Sequence, residues 1–185
     1  MKASADRAFI NVTYFKIDEN VTVLSDFYKY KVDDNVTVLP DFDNEKVDEN
    51  VTVLPDLDND TVPYRKGLIR AINFTDTSGM FATSERYISV GAAFEGHLVF
   101  PYAGIWTFYL TCDDGGKFMI GNNEIIDNDG IHAPEEKSGT YVVDSAGQVE
   151  GFKLLYFQQS GNSALILKWS APSQGERNYP REQVC

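Results

Sequence analysis

Cysteine and histidine are scarce in this 185-residue chain, which holds two of each. Two cysteines cannot build a cysteine-rich zinc site or a disulfide scaffold. Basic residues are also few, 16 against 28 acidic, for a formal net charge of −12. A nucleic-acid binder needs a basic surface to displace counterions, so no nucleic-acid partner is expected. No apolar run approaches the roughly 18 residues that cross a bilayer, so no membrane span is expected. Residues 1–10 lack the apolar stretch of a signal peptide. No segment sustains a helical period. Neither a G-x-S-x-G elbow nor a zinc-ligand spacing occurs. Acidic pairs are inevitable among so many carboxylates, and the chain is read as a non-enzyme.

What is present points outside the cell. Six Asn-X-Ser/Thr sequons begin at Asn11, Asn20, Asn35, Asn50, Asn59 and Asn73. All six fall before residue 76, a clustering that chance does not easily give. The expectation is a secreted, extracellular or cell-surface protein carrying covalent N-glycans. Cys112 and Cys185 are compatible with one disulfide in an oxidising compartment, the alternative being two free thiols.

The most regular feature is a repeat. Residues 16–30 read KIDENVTVLSDFYKY, 31–45 read KVDDNVTVLPDFDNE, and 46–60 read KVDENVTVLPDLDND. Each copy holds Asn-Val-Thr-Val-Leu, a β-branched run bounded by acidic and turn-forming residues, which is a strand signal. With period 2, Val21 and Val23, Val36 and Val38, and Val51 and Val53 share one face. Asn20, Asn35 and Asn50 lie on the other. Pro40 and Pro55 end two of the runs. The block carries 13 acidic and 4 basic side chains. So acidic a segment cannot bury enough apolar surface by itself. It is either a spacer or a set of strands that pair with something else.

From about residue 62 short strand-like runs alternate with turns. Strands are expected over residues 68–74, 94–100, 106–111, 117–120, 124–127, 140–143, 149–157 and 164–169. Gly121-Asn122 is a two-residue hairpin turn, and Ala146-Gly147-Gln148 another turn. Many short strands at this spacing predict an all-β sandwich or barrel. The organisation expected is an N-terminal segment 1–15, three acidic strand repeats 16–60, and a sandwich 61–185. Its core candidates are Phe94, Phe100, Trp106, Phe108, Phe118, Leu155, Phe157 and Trp169. His97 and His132 read as structural residues, His132 ordering its loop.

Residues 103–128 read AGIWTFYLTCDDGGKFMIGNNEIIDN, and residues 151–169 read GFKLLYFQQSGNSALILKW. The first resembles the PA14 domain family, in which G-x-[YW]-x-F-x-L leads to a double-aspartate turn, a lysine-containing strand and an I-D-N segment. The second is similar to the family's closing hairpin. The resemblance covers roughly residues 62–169 and implies an antiparallel β-sandwich, here with an N-terminal extension of repeated strands. In the family's lectin branch the double aspartate holds calcium across a cis peptide, and sugar hydroxyls complete the shell. The resemblance therefore implies Asp113 and Asp114 as metal and carbohydrate ligands, with calcium as the one cofactor. Gln158 or Gln159 is a weak further carbohydrate contact, and Glu176 and Asn178 weaker ones. The alternative is a plain polar turn.

Two functions are carried forward. The first is a secreted glycoprotein that self-associates by N-terminal strand exchange into a fibre or surface layer. The alternative is a calcium-dependent, carbohydrate-binding adhesin with a glycan ligand.

Overall fold

The computed structural model describes residues 9–17, 52–53, 63–77 and 79–172. Among them the chain is all-β, as expected. Eleven strands form two antiparallel sheets: β1 Ile10–Lys16, β2 Thr52–Val53, β3 Pro63–Ile69, β4 Asn73–Thr77, β5 Val90–Phe100, β6 Gly104–Asp113, β7 Gly116–Ile120, β8 Asn123–Asn128, β9 Glu135–Val143, β10 Gln148–Gln158 and β11 Ser163–Ser170. One sheet has seven strands in the order β2-β3-β1-β5-β10-β7-β8, the other four in the order β4-β11-β6-β9.

Period-2 burial makes the sandwich. In β6, Trp106, Phe108, Leu110 and Cys112 are buried, and their neighbours are not. In β10, Phe152, Leu154 and Tyr156 join the same core, together with Phe94, Phe100 and Phe118. Phe100 meets Trp106 edge-on at 5.2 Å, and Phe108 lies 5.1 Å from Phe118. Burying such a side chain contributes about 1.5–3 kcal/mol. Trp169, expected in the core, is only half-buried against it. Leu155 and Phe157 alternate with Leu154 and Tyr156, so they point to the sheet's other face. There they form a second buried cluster with Phe15, Ile17 and Ala93.

Two boundaries differ from the expectation. Residues 68–74 do not form one strand. The chain leaves β3 at Ile69, crosses between sheets, and enters β4 at Asn73. Ile72 is buried at this corner, and its carbonyl accepts the Leu167 N–H at 3.0 Å. The sandwich also does not begin at residue 61. β1 lies inside the larger sheet, paired with β3 on one side and β5 on the other. Val12 and Tyr14 point into the core, so the segment before the repeats is an integral strand.

Two glycines serve turns. Gly121, at φ 56°, sits in the hairpin between Ile120 and Asn123. Gly147, at φ 82°, precedes β10 and donates its N–H to the Phe100 carbonyl at 2.7 Å.

Candidate functional site

β6 runs the length of the sandwich and delivers Asp113 at its end, and Asp114 and Gly115 turn the chain into β7. The peptide between Asp113 and Asp114 is cis. Gly115 is required by close approach. A Cβ there would meet the Phe157 ring, and would stand 2.9 Å from both the Asp129 carboxylate and the Gly130 nitrogen. The Gly115 carbonyl accepts the Phe157 N–H at 2.9 Å, which ties the turn to β10.

Asp114 is buried, with 4% of its surface exposed. Its Oδ2 accepts the backbone N–H of Gln159 at 2.8 Å. Burial pushes its pKa above the usual carboxylate value. The Gln159 N–H, the charge of His132 and the backbone N–H groups of Ser160 and His132 pull the other way. Three loops therefore converge on one carboxylate: β6–β7, β8–β9 through His132, and β10–β11 through Gln159 and Ser160. A fourth is tied in, because Ser89 donates its N–H to the Gln159 carbonyl at 3.0 Å. In that β4–β5 loop Ala82, Glu85 and Ser89 all adopt positive φ, at 45°, 60° and 55°. Non-glycine residues seldom do so, and such outliers gather at binding loops. The loop also exposes Tyr87, at 57% of its surface.

Gln158 has a different place from the carbohydrate contact expected of it. It is fully buried. Its Nε2 donates to the carbonyls of Ser160 at 2.6 Å and Asn162 at 2.8 Å. Its Oε1 lies 3.0 Å from the Tyr156 hydroxyl, which donates to the Asp113 carbonyl at 2.6 Å. An amide engaged at both ends shapes the β10–β11 loop from within and does not reach a ligand. The weaker alternative, Gln159, takes part through its backbone. Glu176 and Asn178 lie outside the described residues.

A second acidic cluster flanks the site. Lys117 Nζ lies 2.9 Å from Asp127, 3.5 Å from Glu124 and 4.0 Å from Asp129. The Lys117 hydrogen bond holds the Asp127 carboxyl below its usual value. His132 bridges the carbonyls of Asn128 at 3.1 Å and Ala133 at 3.0 Å, the loop-ordering place expected of it. His97 stands exposed in β5, opposite Gly151.

Cys112 is a buried thiol, and Cys185, its expected partner, lies outside the described residues. Its Sγ accepts from Asn128 Nδ2 at 3.1 Å, and burial pushes the thiol up to about 12. Of the sequons, Asn11 and Asn73 are exposed on β1 and β4. Asn20, Asn35, Asn50 and Asn59 lie outside the described residues, as do Val21, Val23, Val36, Val38 and Val51. The Val53 backbone belongs to β2.

The family model for the PA14 domain matches residues 58–183. The chain belongs to the PA14 domain family. No curated protein matches it in sequence. Among solved structures, an anti-sigma factor domain-containing protein is similar at 16% identity and TM-score 0.61, over 96% of this chain and 47% of that one. The chain thus spans about half the length of that protein. A PA14 sugar-binding domain from an RTX adhesin is similar at 11% identity and TM-score 0.61, covering 88% and 89% of the two chains. The Epithelial adhesin 9 A domain of Candida glabrata, in complex with Galβ1-3GlcNAc, is similar at 8% identity and TM-score 0.57, covering 100% and 88%. At these identities the likeness shows the fold alone.

The donor set of the Asp113-Asp114 turn fits calcium. It offers two adjacent carboxylates, hard oxygen donors of the kind calcium takes. Among the described residues no group of three or more His, Cys, Asp or Glu side chains is placed to hold a metal. Asp113 and Asp114 would therefore hold the ion with backbone carbonyls, solvent or a ligand completing its shell.

Proposed function

We propose that this PA14 domain is a non-enzymatic, extracellular or surface module that binds carbohydrate at the Asp113-Asp114 end. The observation that carries the reading is the buried Asp114 carboxylate with three loops converging on it. A bound calcium would supply a Lewis-acidic centre for sugar hydroxyls. This chain's residues do the rest. Asp113 and Asp114 supply charge, Gln159 and His132 fix the flanking loops, and exposed Tyr87 offers a ring face for a pyranose. N-glycans at exposed Asn11 and Asn73 fit the same compartment. Loss of mass on enzymatic deglycosylation of native material is their test. The sugar-binding test is a glycan screen of the full chain in calcium and in chelator. Ligands retained only in calcium support the reading, and no retained ligand rejects it.

A second reading has its own observation. β2 belongs to the third repeat, and it adds to the edge of the larger sheet at β3. Strand addition of this kind is how a repeat-bearing subunit would associate with its copies into a fibre or surface layer. Sedimentation of the full chain, compared with a chain lacking residues 18–45, tests it. Association lost with the deletion supports the reading, and unchanged association rejects it.

A further inference from the structure

The strand that fills β1 is a shortened copy of the repeat. Asn11-Val12-Thr13-Tyr14-Phe15 runs straight into Lys16-Ile17-Asp18-Glu19-Asn20. Asn35-Val36-Thr37-Val38-Leu39 reaches Lys46-Val47-Asp48-Glu49-Asn50 only after the six residues 40–45. With those six left out, the two stretches align position by position.

The structure sets this motif on both sides of β3. On the inner side Thr13 pairs with Lys66 and Tyr14 with Arg65. On the outer side Thr52 pairs with Lys66 and Val53 with Arg65. Thr13 and Thr52 hold the same motif position, and so do Tyr14 and Val53. Both copies therefore meet β3 antiparallel and in one register. A slip of one residue would turn every side chain to the other face, so a shared register is a specific property of motif and strand.

β1 shows what the sheet asks of the motif. Val12 and Tyr14 are buried and Asn11 is exposed. The repeats keep this alternation but have Val and Leu where β1 has Tyr14 and Phe15. Tyr14 is further fixed by a 3.0 Å hydrogen bond to Thr83 Oγ1, and Phe15 is buried. The repeats lack these anchors, so they compete for the outer edge of β3 and not for the place of β1. That edge presents exposed Lys66, followed by exposed Arg70, to a repeat block with 13 acidic and 4 basic side chains, whereas Arg65 is buried and paired with Glu85. Each chain has three repeats for one such edge.

We propose that the outer edge of β3 accepts an Asn-Val-Thr strand from a second copy of this chain, with the motif threonine opposite Lys66. The proposal rests on the assembly reading above and names its acceptor. Backbone hydrogen bonds supply the affinity, and the alternating valines supply the register. An exchange in which each copy gives one strand and takes another is head-to-tail, and it grows when it does not close.

The test uses two preparations of the full chain, both with Cys185→Ser. One carries Lys66→Cys and the other Thr22→Cys, Thr37→Cys or Thr52→Cys. Directly opposed residues place their Cβ atoms within disulfide reach. After mixing and mild oxidation, each threonine variant is expected to give the mixed covalent dimer. Val36→Cys and Val38→Cys, on the other face, should give it at least several-fold less. No mixed dimer, or equal yields from the valine variants, would overturn the proposal. If the 18–45 deletion abolishes association while the cross-links fail, the acceptor edge is wrong and the assembly reading stands. If the full chain never associates, that reading fails first.

Discussion

Asp114 accepts the backbone N–H of Gln159 at 2.8 Å, and this bond joins the β6–β7 turn to the loop between β10 and β11. Removing the acceptor leaves a part-buried donor without its partner, which costs about 1 kcal/mol, the low end for an unmade hydrogen bond. Asp114→Ala should lose that much in urea unfolding. Asp114→Asn keeps a carbonyl oxygen and should lose less. Gly115→Ala should also destabilise, because its Cβ would meet the Phe157 ring.

The Lys117–Asp127 pair gives a pH dependence with a defined sign. The Lys117 hydrogen bond lowers the Asp127 pKa from 3.8. A lowered carboxylate pKa contributes stability that is present above 3.8 and lost as pH falls through the folded value. Both partners are partly exposed, so the effect is small. Carboxyl titration by NMR should place Asp127 below 3.8, and Lys117→Met should move it upward.

Cys112 should be unreactive in the native protein. The thiolate is the nucleophile, and a thiol pushed up to about 12 supplies almost none at neutral pH. Alkylation should spare Cys112 until denaturant is added. Its rapid labelling under native conditions would contradict the packing beneath Asn128.

β1 should show a strong asymmetry between faces. Val12→Asp puts an unpaired charge in the core, where it is strongly disfavoured, and should prevent folding. Thr13→Asp, on the opposite face, should be tolerated. Deletion of residues 18–45 should leave a folded sandwich, whereas deletion of residues 9–17 should not. Circular dichroism of the four variants checks this.

Much of the sandwich was legible because its strands are bounded by turn residues. Gly121-Asn122 marks a hairpin and Ala146-Gly147 the turn from one sheet to the other, and the buried faces of β6 and β10 repeat every second residue. The corner at residues 70–72 was not legible. Arg-Ala-Ile contains no turn former, and only the burial of Ile72 and its bond to Leu167 reveal it. β1 was hidden for another reason. Its copy of the motif lacks six residues, so a strict 15-residue period passes over it. At the site, the aspartate pair was visible as a pair of residue types. The roles of Ser89, His132 and the Gln159 backbone arise from loop contacts between distant segments, which no local pattern encodes. Nor could alternation decide that the Gln158 amide would be used up inside its own loop.

The central claim is that sugar and calcium share the Asp113-Asp114 end. If bound calcium raises the affinity for the sugar by completing its site, the sugar must raise the affinity for calcium by the same factor. The direct measurement is a calcium titration of the full chain by calorimetry, with and without a saturating glycan taken from the screen. Calcium should bind several-fold more tightly with the glycan present, and Asp114→Asn should weaken calcium and abolish the coupling. Glycan binding of equal strength in calcium and in chelator, unchanged by Asp114→Asn, would contradict the account.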